Sequence, residues 1–240
     1  LKHKLNPVTL KILVDCSGSM AGPSIEAARN GAMHALDHLH EDERFSVSLF
    51  GSSVEDMTQG LQTWRRKNRG SWRRVLTGVD ATLGGTELEI AVKHCLTLGR
   101  EADEKSAKED AYGDILLITD GQVSDISRLV KALKKAKHRI FAIGVGSAPA
   151  ESQLAALAKA SGGECLLVSP GEDLRVNIER LMARMRAPQV KDMKAILNDT
   201  DAVWLSELPS QAAATGAFQL YGLLPNRAWN GHIIVSAMLA

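Results

Sequence analysis

The sequence lacks a strong net charge, a paired set of cysteines and any long apolar run. Its 29 basic and 28 acidic residues leave a formal net charge of +1, so no overall field selects nucleic acid or a membrane surface. No apolar run approaches the roughly 20 residues that a membrane-spanning helix needs, so we expect no membrane insertion. The chain begins at Leu1 and ends at Ala240 within a strand-like run, and we expect it to be a piece of a longer protein.

The three cysteines, Cys16, Cys95 and Cys165, are an odd number and show no C-x-x-C spacing. This pattern predicts reduced, mostly buried thiols rather than a disulfide framework or a zinc site. Reduced thiols favour a reducing compartment such as the cytoplasm. An extracellular location stays open, because a targeting segment could precede Leu1.

Two common functional motifs are also missing. The Gly-Lys-Ser/Thr triplet of a Walker loop occurs nowhere in the chain, which argues against ATP binding through such a loop. His34 and His38 lie four residues apart, but no Glu follows His34, so the HExxH pattern of zinc proteases is absent. We therefore interpret both histidines as solvated residues on a helix face.

Apolar strand-like runs alternate with helix-like segments over the first 187 residues. Predicted strands lie at residues 8–15, 45–50, 54–58, 114–119, 139–146 and 164–168. Predicted helices lie at residues 23–39, 71–79, 86–98, 125–137, 150–160 and 173–186, and the charged residues 100–111 predict an exposed loop. This alternation predicts an α/β domain with a doubly wound, mainly parallel sheet and helices on both faces.

Beyond Pro188 the sequence changes character, because short strand-like runs are separated by proline and Asn-Gly turns. These runs lie at residues 190–197, 202–205, 218–224 and 233–239. We therefore predict two parts, an α/β domain at residues 1–187 and a β-strand extension at residues 188–240. The extension is too small to be trusted as an independent domain, and we expect it to be part of a larger β region.

Polar residues follow the predicted strands at three places. Asp15, Ser17 and Ser19 leave the first strand, Thr86 opens a helix, and Asp120 follows a later strand. Because ligands in such sheets bind at the carboxyl ends of the strands, we expect these side chains to meet at one edge. Their hard oxygen atoms suit Mg²⁺, Mn²⁺ or Ca²⁺ rather than zinc or copper. These ligands do not complete the coordination of the ion, so one coordination position stays open for water or for an oxygen atom of a partner.

Two other interpretations of these residues stay open. Thr86 with Glu89 has the form of a capping box, which would compete for the hydroxyl, and we prefer the role of metal ligand. The loops could also have kept their hydrogen bonds and lost the metal. We favour a working site, because two buried carboxylates are costly without a cation.

The arrangement resembles the metal-ion-dependent adhesion site (MIDAS) of von Willebrand factor type A (VWA) domains, which are Rossmann-like. The family pattern is Asp-x-Ser-x-Ser, a Thr and an Asp, matched here by Asp15, Ser17, Ser19, Thr86 and Asp120. The resemblance implies that the three hydroxyls bind the metal directly and that the aspartates act directly or through water. It also implies a non-enzymatic module for protein–protein interaction and adhesion, whose partner supplies a Glu or Asp carboxylate to the metal.

Glu87 and Gln122 flank the predicted ligands and are expected to form the rim that a partner contacts. The β extension resembles the region that follows the A domain in inter-alpha-trypsin inhibitor heavy chains. The residues that carry this likeness are Leu208-Pro209, then Tyr221-Gly222-Leu223-Leu224, then a final strand.

A second hypothesis rests on the basic stretch between Trp64 and Arg74. Its cations are Arg65, Arg66, Lys67, Arg69, Arg73 and Arg74. Cations interleaved with tryptophans could hold phosphates and stack bases, which would make RNA or another polyanion the partner. An anionic protein surface is another possible partner for these cations. The alternative to any binding role is a solvated loop and first helical turn with both tryptophans packed on the core.

A third hypothesis, a metal-assisted hydrolase, has the least support. Such an enzyme needs an activated water and a well-placed general base. No histidine lies within any of the three loops, and no Ser-His-Asp arrangement is suggested. We therefore expect that the protein is not an enzyme.

Overall fold

A computed structural model describes residues 7–99, 113–121, 126–133, 138–146, 149–169 and 172–197, and the strands at 203–204, 211–213, 222–223 and 233–239. The predicted exposed loop at residues 100–111 lies outside the described residues, as does Gln122. The chain divides into two compact units, one spanning Pro7–Met185 and the other containing Arg186–Ala240.

The larger unit is built on a mixed, mainly parallel sheet. Its described strands are β1 (Thr9–Asp15), β2 (Arg44–Phe50), β3 (Val54–Asp56), β4 (Gln62–Thr63), β5 (Asp114–Thr119), β6 (Arg139–Val145) and β7 (Cys165–Val168). They lie in the order β3-β2-β1-β5-β6-β7, with β4 also paired to β2. The strands β2, β1, β5, β6 and β7 run parallel, whereas β3 and β4 pair antiparallel with β2. The α/β fold class predicted from the alternation of apolar runs is therefore confirmed.

Helices cover both faces of this sheet. They are α1 (Pro23–Asp37), α2 (Arg69–Thr77), α3 (Leu88–Thr97), α4 (Ser127–Leu133), α5 (Glu151–Ser161) and α6 (Leu174–Arg186). Apolar side chains of α1, α2 and α6 pack with Ile12 and Val14 of β1, whereas those of α3, α4 and α5 pack with Leu13. Successive β1 side chains therefore enter opposite layers, as the period of two in a strand requires.

The start of α3 differs from the capping-box prediction. The helix begins at Leu88, with Glu87 as its N-cap and no capping hydrogen bond from a side chain. The Glu87 amide donates to the carbonyl of Gly51 at 2.8 Å. A neighbouring loop thus satisfies this amide, so Thr86 is not the cap and its hydroxyl does not have to serve the helix.

The cysteines agree with the prediction of reduced, mostly buried thiols. Cys16 and Cys95 are buried and Cys165 is half-buried, and all three are free. Burial raises the pKa of the Cys16 and Cys95 thiols to about 12. Both therefore stay protonated and unreactive near neutral pH.

The smaller unit contains only strands among its described elements beyond the end of α6. They are β8 (Gln189–Leu197), β9 (Val203–Trp204), β10 (Gln211–Ala213), β11 (Gly222–Leu223) and β12 (Ile233–Leu239). β8 pairs antiparallel with β10 and β12, and β9 pairs antiparallel with β11. The short strand β10 was not predicted, because its sequence Gln-Ala-Ala lacks the β-branched and aromatic residues that mark strands. The boundary between residues 187 and 188 stays a prediction.

Among the described helices, none combines the length and the apolar composition that crossing a membrane requires.

Candidate metal site at the carboxyl edge of the sheet

Asp15 is the last residue of β1 and is fully buried. The register pairs Val14 with Ile118, so Asp15 lies level with Thr119 at the end of β5. Its Oδ1 accepts a hydrogen bond from the Ser17 amide at 2.9 Å, and its Oδ2 accepts one from the Thr119 hydroxyl at 2.5 Å. Both carboxylate oxygens are therefore held in place by neutral donors.

The second carboxylate lies close to the first. Asp120 follows β5 directly and is only 9% exposed. Burial raises the pKa of Asp15, hydrogen bonds from Thr119 and Ser17 partly oppose the rise, and the charge of Asp120 raises it further. Two neighbouring carboxylates with little access to water repel each other, and a divalent cation would relieve that repulsion.

The hydroxyls of the first loop are spaced as metal ligands would be. Ser17 Oγ and Ser19 Oγ form a hydrogen bond at 3.1 Å, and this separation is also compatible with two ligands of one cation. Two neighbouring ligands of an octahedral Mg²⁺, each at about 2.1 Å from the ion, are about 3.0 Å apart. Ser17 is buried and Ser19 is exposed, so this pair of oxygens lies between the carboxylates and solvent. The residues present therefore fit a hard divalent cation.

The loop that carries Thr86 is tied to the first loop by its backbone. The Gly18 amide donates to the Gly84 carbonyl at 2.8 Å, and the Leu83 amide donates to the Cys16 carbonyl at 2.9 Å. Gly84 has a φ of 78°, a conformation that residues other than glycine rarely adopt. These bonds hold the loop that carries the half-buried Thr86 against the loop of Ser17 and Ser19.

A supporting loop after β2 was missed in the sequence analysis. Ser52 Oγ accepts a hydrogen bond from the Gly85 amide at 2.8 Å, and the Ser52 amide donates to the Leu83 carbonyl at 2.6 Å. A Cβ at Gly51 would lie 2.4 Å from the Leu83 carbonyl oxygen, so only glycine fits there. The run of small residues directly after a buried strand was the available signal.

Thr119 is the second residue that sequence reasoning missed. Besides donating to Asp15, its Oγ1 accepts a hydrogen bond from the Gly121 amide at 3.0 Å. It therefore links one predicted ligand to the turn that carries the other, Asp120. A polar residue at the end of an otherwise apolar strand, next to an aspartate, was the signal for it.

Of the two residues predicted to form the rim that a partner contacts, the structure describes one. Glu87 is exposed next to Thr86, whereas Gln122 is outside the described residues. Across the described ranges, no three His, Cys, Asp or Glu side chains cluster in a way that could hold a metal. The candidate site does not conflict with this, because hydroxyls make up most of its oxygen donors.

The basic stretch does not form the stacking surface of the second hypothesis. Trp64 and Trp72 are only 2% and 9% exposed and pack edge-on against Phe45, at centroid distances of 5.6 and 5.2 Å. Base stacking by these tryptophans is therefore wrong, because their rings are already buried in the core. The alternative, in which both tryptophans pack on the core below a solvated surface, is confirmed for these two side chains.

The six cations of the stretch are all exposed. Arg65 pairs with Asp42, and Arg69 forms hydrogen bonds to both oxygens of Asp37, at 2.5 and 2.6 Å. The other four have no ion pair within the part of the chain that the structure describes; they are Arg66, Lys67, Arg73 and Arg74.

One group of serine, aspartate and histidine does lie together, on β2, β3 and α3. Asp56 accepts hydrogen bonds from the Ser48 hydroxyl at 2.6 Å and from His94 Nε2 at 2.8 Å. In a catalytic triad the histidine lies between the serine and the carboxylate. Here the carboxylate lies in the middle, so the histidine is not placed to take the proton of the serine hydroxyl.

Comparison with known proteins identifies the family. The family model described as von Willebrand factor type A domain matches residues 9–165. The chain therefore belongs to the von Willebrand factor type A domain family.

Two curated relatives support this assignment. A von Willebrand factor A domain-containing protein of Dictyostelium discoideum is 30% identical over 184 residues, covering 75% of this chain and 20% of the relative. The human von Willebrand factor A domain-containing protein 5A is 26% identical over 193 residues, covering 75% of this chain and 24% of the relative. The chain thus spans about a fifth to a quarter of these relatives. The narrower likeness to inter-alpha-trypsin inhibitor heavy chains stays a prediction.

Solved structures share the fold at low sequence identity. A von Willebrand factor type A protein from Catenulispora acidiphila has a TM-score of 0.65 and 17% identity, covering 98% of this chain and 64% of the other. Proximal thread matrix protein 1 from the mussel byssus, with a zinc-occupied MIDAS motif, has a TM-score of 0.56 and 18% identity, covering 74% and 45%. The manganese-loaded TRAP protein of Plasmodium vivax has a TM-score of 0.52 and 18% identity, covering 73% of each chain.

Proposed function

We propose that this protein is a non-enzymatic module that binds a partner protein through a divalent cation at the carboxyl edge of its sheet. The observation that supports the proposal is the buried Asp15, which the charge of Asp120 influences and which accepts a hydrogen bond from Ser17, whose hydroxyl lies 3.1 Å from that of Ser19. Structural relatives with zinc or manganese at this fold add support.

In this proposal Ser17, Ser19 and Thr86 hold the cation directly, while Asp15 and Asp120 hold it directly or through water. The bound Mg²⁺, or Mn²⁺ or Ca²⁺ in its place, supplies an electron-poor position that favours a carboxylate oxygen. The partner would therefore present a Glu or Asp side chain. Neutral hydroxyls next to the ion leave most of its charge available for that carboxylate.

Hydrogen bonds within the protein position the proposed metal ligands without any contribution from a partner. Thr119 and the Ser17 amide orient the two oxygens of Asp15. Ser52 and the Gly18–Gly84 hydrogen bond hold the Thr86 loop against the first loop. A preorganised ligand set lowers the ordering cost that cation binding would otherwise carry.

Titration calorimetry with Mg²⁺ and Mn²⁺ tests the proposal on the whole chain. The wild type should show saturable binding that Asp15→Asn with Asp120→Asn abolishes. The control Asp42→Asn with Asp173→Asn removes the same charge from exposed positions and should bind like the wild type. Circular dichroism should show that all three proteins are folded.

The partner's role is tested by repeating the titration with sodium acetate as a minimal carboxylate. Acetate should strengthen Mg²⁺ binding in the wild type only. Absence of cation binding in the wild type, with and without acetate, would overturn the proposal. Equal binding by the wild type and the Asp15→Asn, Asp120→Asn variant would overturn it as well.

A further inference from the structure

The exposed face of α2 and of the short turn before it carries unpaired positive charge that the metal site does not use. Residues 57–79 contain six cations and no acidic residue. After the ion pairs of Arg65 and Arg69, four exposed cations have no ion pair to another described residue; they are Arg66, Lys67, Arg73 and Arg74. Four like charges so close together repel one another and favour an anionic partner.

A short 3-10 helix, Arg66–Asn68, leads directly into α2, and together they fix the spacing of these charges. Trp72 and Leu76 are the buried side chains of α2 and hold its inner face against the core. Arg66 and Arg73 are seven residues apart, as are Lys67 and Arg74, which is about two helical turns and about 10 to 12 Å. The buried tryptophan therefore holds the cations in two neighbouring rows on the outer face.

A groove of about 350 Å³ runs between α1 and α2 beside these rows. Arg29, His34 and Arg73 line it together with two acids, Glu26 and Asp37. The two arginines and the two acids cancel, and burial lowers the pKa of His34 and keeps it neutral near pH 7, so the groove adds no net charge to the basic rows beside it.

We propose that this basic face of α2 is a second docking surface, which binds an acidic segment of a partner polypeptide without a metal ion. Guanidinium groups bind carboxylates through two parallel hydrogen bonds, which suits arginines spaced two turns apart. A polypeptide is favoured over single-stranded nucleic acid, because Trp64 and Trp72 are buried and offer bases no stacking surface.

The test measures binding of fluorescein-labelled decaglutamate to the whole chain by anisotropy, at low and at physiological salt. The variant Arg66→Gln, Arg73→Gln, Arg74→Gln should weaken binding about tenfold, since each exposed ion pair contributes a few-fold at most. The matched control, Arg128→Gln, Lys131→Gln, Lys159→Gln, removes three exposed cations elsewhere and should change binding less than about twofold.

Three further readouts decide the result. Binding should persist in EDTA and in the Asp15→Asn, Asp120→Asn variant. That result would support the basic docking surface even if the proposed metal site proved wrong. Tighter binding of decauridylate than of decaglutamate would overturn the proposal in favour of nucleic acid. Equal loss in both triple variants, loss in EDTA, or no decaglutamate binding at low salt would also overturn it.

Discussion

The metal edge and the basic face of α2 differ in what holds their polar side chains. At the metal edge, Asp15 is buried and both of its oxygens accept hydrogen bonds. On α2, cations such as Arg73 and Arg74 are exposed, and water can solvate them. Because a buried polar group must find partners while an exposed one need not, the fold fixes the side-chain contacts of the first region, whereas in the second it fixes mainly the backbone positions of the cations.

The largest expected effect is on the free energy of unfolding, where a buried tryptophan of the basic stretch should matter far more than an exposed cation beside it. Trp64→Ala should lower the free energy of unfolding by about 3–5 kcal/mol, because it opens a cavity next to Phe45. Lys67→Ala, an exposed neighbour, should change it by no more than about 0.5 kcal/mol. Urea denaturation measures both, and equal effects of the two substitutions would contradict the buried position of Trp64.

Two glycines extend the comparison to the backbone. A Cβ at Gly51 would meet the Leu83 carbonyl, whereas a Cβ at Gly70 on α2 would meet nothing within 4 Å. Gly51→Ala should therefore destabilise the protein by about 1–3 kcal/mol and weaken Mg²⁺ binding. Gly70→Ala should stabilise it by about 0.5 kcal/mol, because alanine favours the helix.

Urea denaturation and Mg²⁺ titration of both glycine variants check this prediction. Unchanged Mg²⁺ affinity in Gly51→Ala, with the expected loss of stability, would show that the loop after β2 does not support the site.

Thr119 tests whether a hydrogen bond to a ligand matters for the proposed site. Thr119→Val keeps the shape but removes the donor to Asp15 and the acceptor for the Gly121 amide. We expect a loss of about 1–2 kcal/mol in stability and a decrease of about tenfold in Mg²⁺ affinity. Thr119→Ser should restore both, and calorimetry that finds equal affinity in valine and serine variants would refute this role.

The smallest effect concerns pH. The raised pKa of Asp15, caused first by its burial, means that the folded protein binds this proton more tightly than the unfolded chain. Without metal, its contribution to stability is therefore greatest at low pH and is lost as the pH rises through the folded-state pKa. A cation binds the ionised form, so the stabilisation that Mg²⁺ adds should grow over the same range.

Thermal melts between about pH 4 and pH 8, with and without Mg²⁺, measure this difference from just above the unfolded-state pKa of Asp15. The Asp15→Asn variant should remove the pH dependence of the Mg²⁺ effect. A Mg²⁺ effect that is constant with pH in the wild type would count against a raised pKa at a ligand.

The sequence alone determined the order of the elements and the identity of the ligand candidates. Apolar runs at 114–119 and 139–146 predicted β5 and β6 to within one residue, because strands buried on both faces must be almost wholly apolar. Pro23 marked the start of α1, and Asp15 and Asp120 marked the ends of β1 and β5, since the carboxyl ends of parallel strands share one edge.

Only the tertiary structure decided contacts between residues far apart in the chain. Lys11 looks like the solvent-facing residue of β1, yet it is fully buried and donates to the Cys95 and Leu98 carbonyls at the end of α3, at 2.9 and 2.8 Å. The hydrogen bond from Thr119 to Asp15 and the close packing of Gly51 against Leu83 likewise join segments that are far apart in the chain. A local pattern records which side chains are polar, but which partners satisfy them depends on how the chain packs.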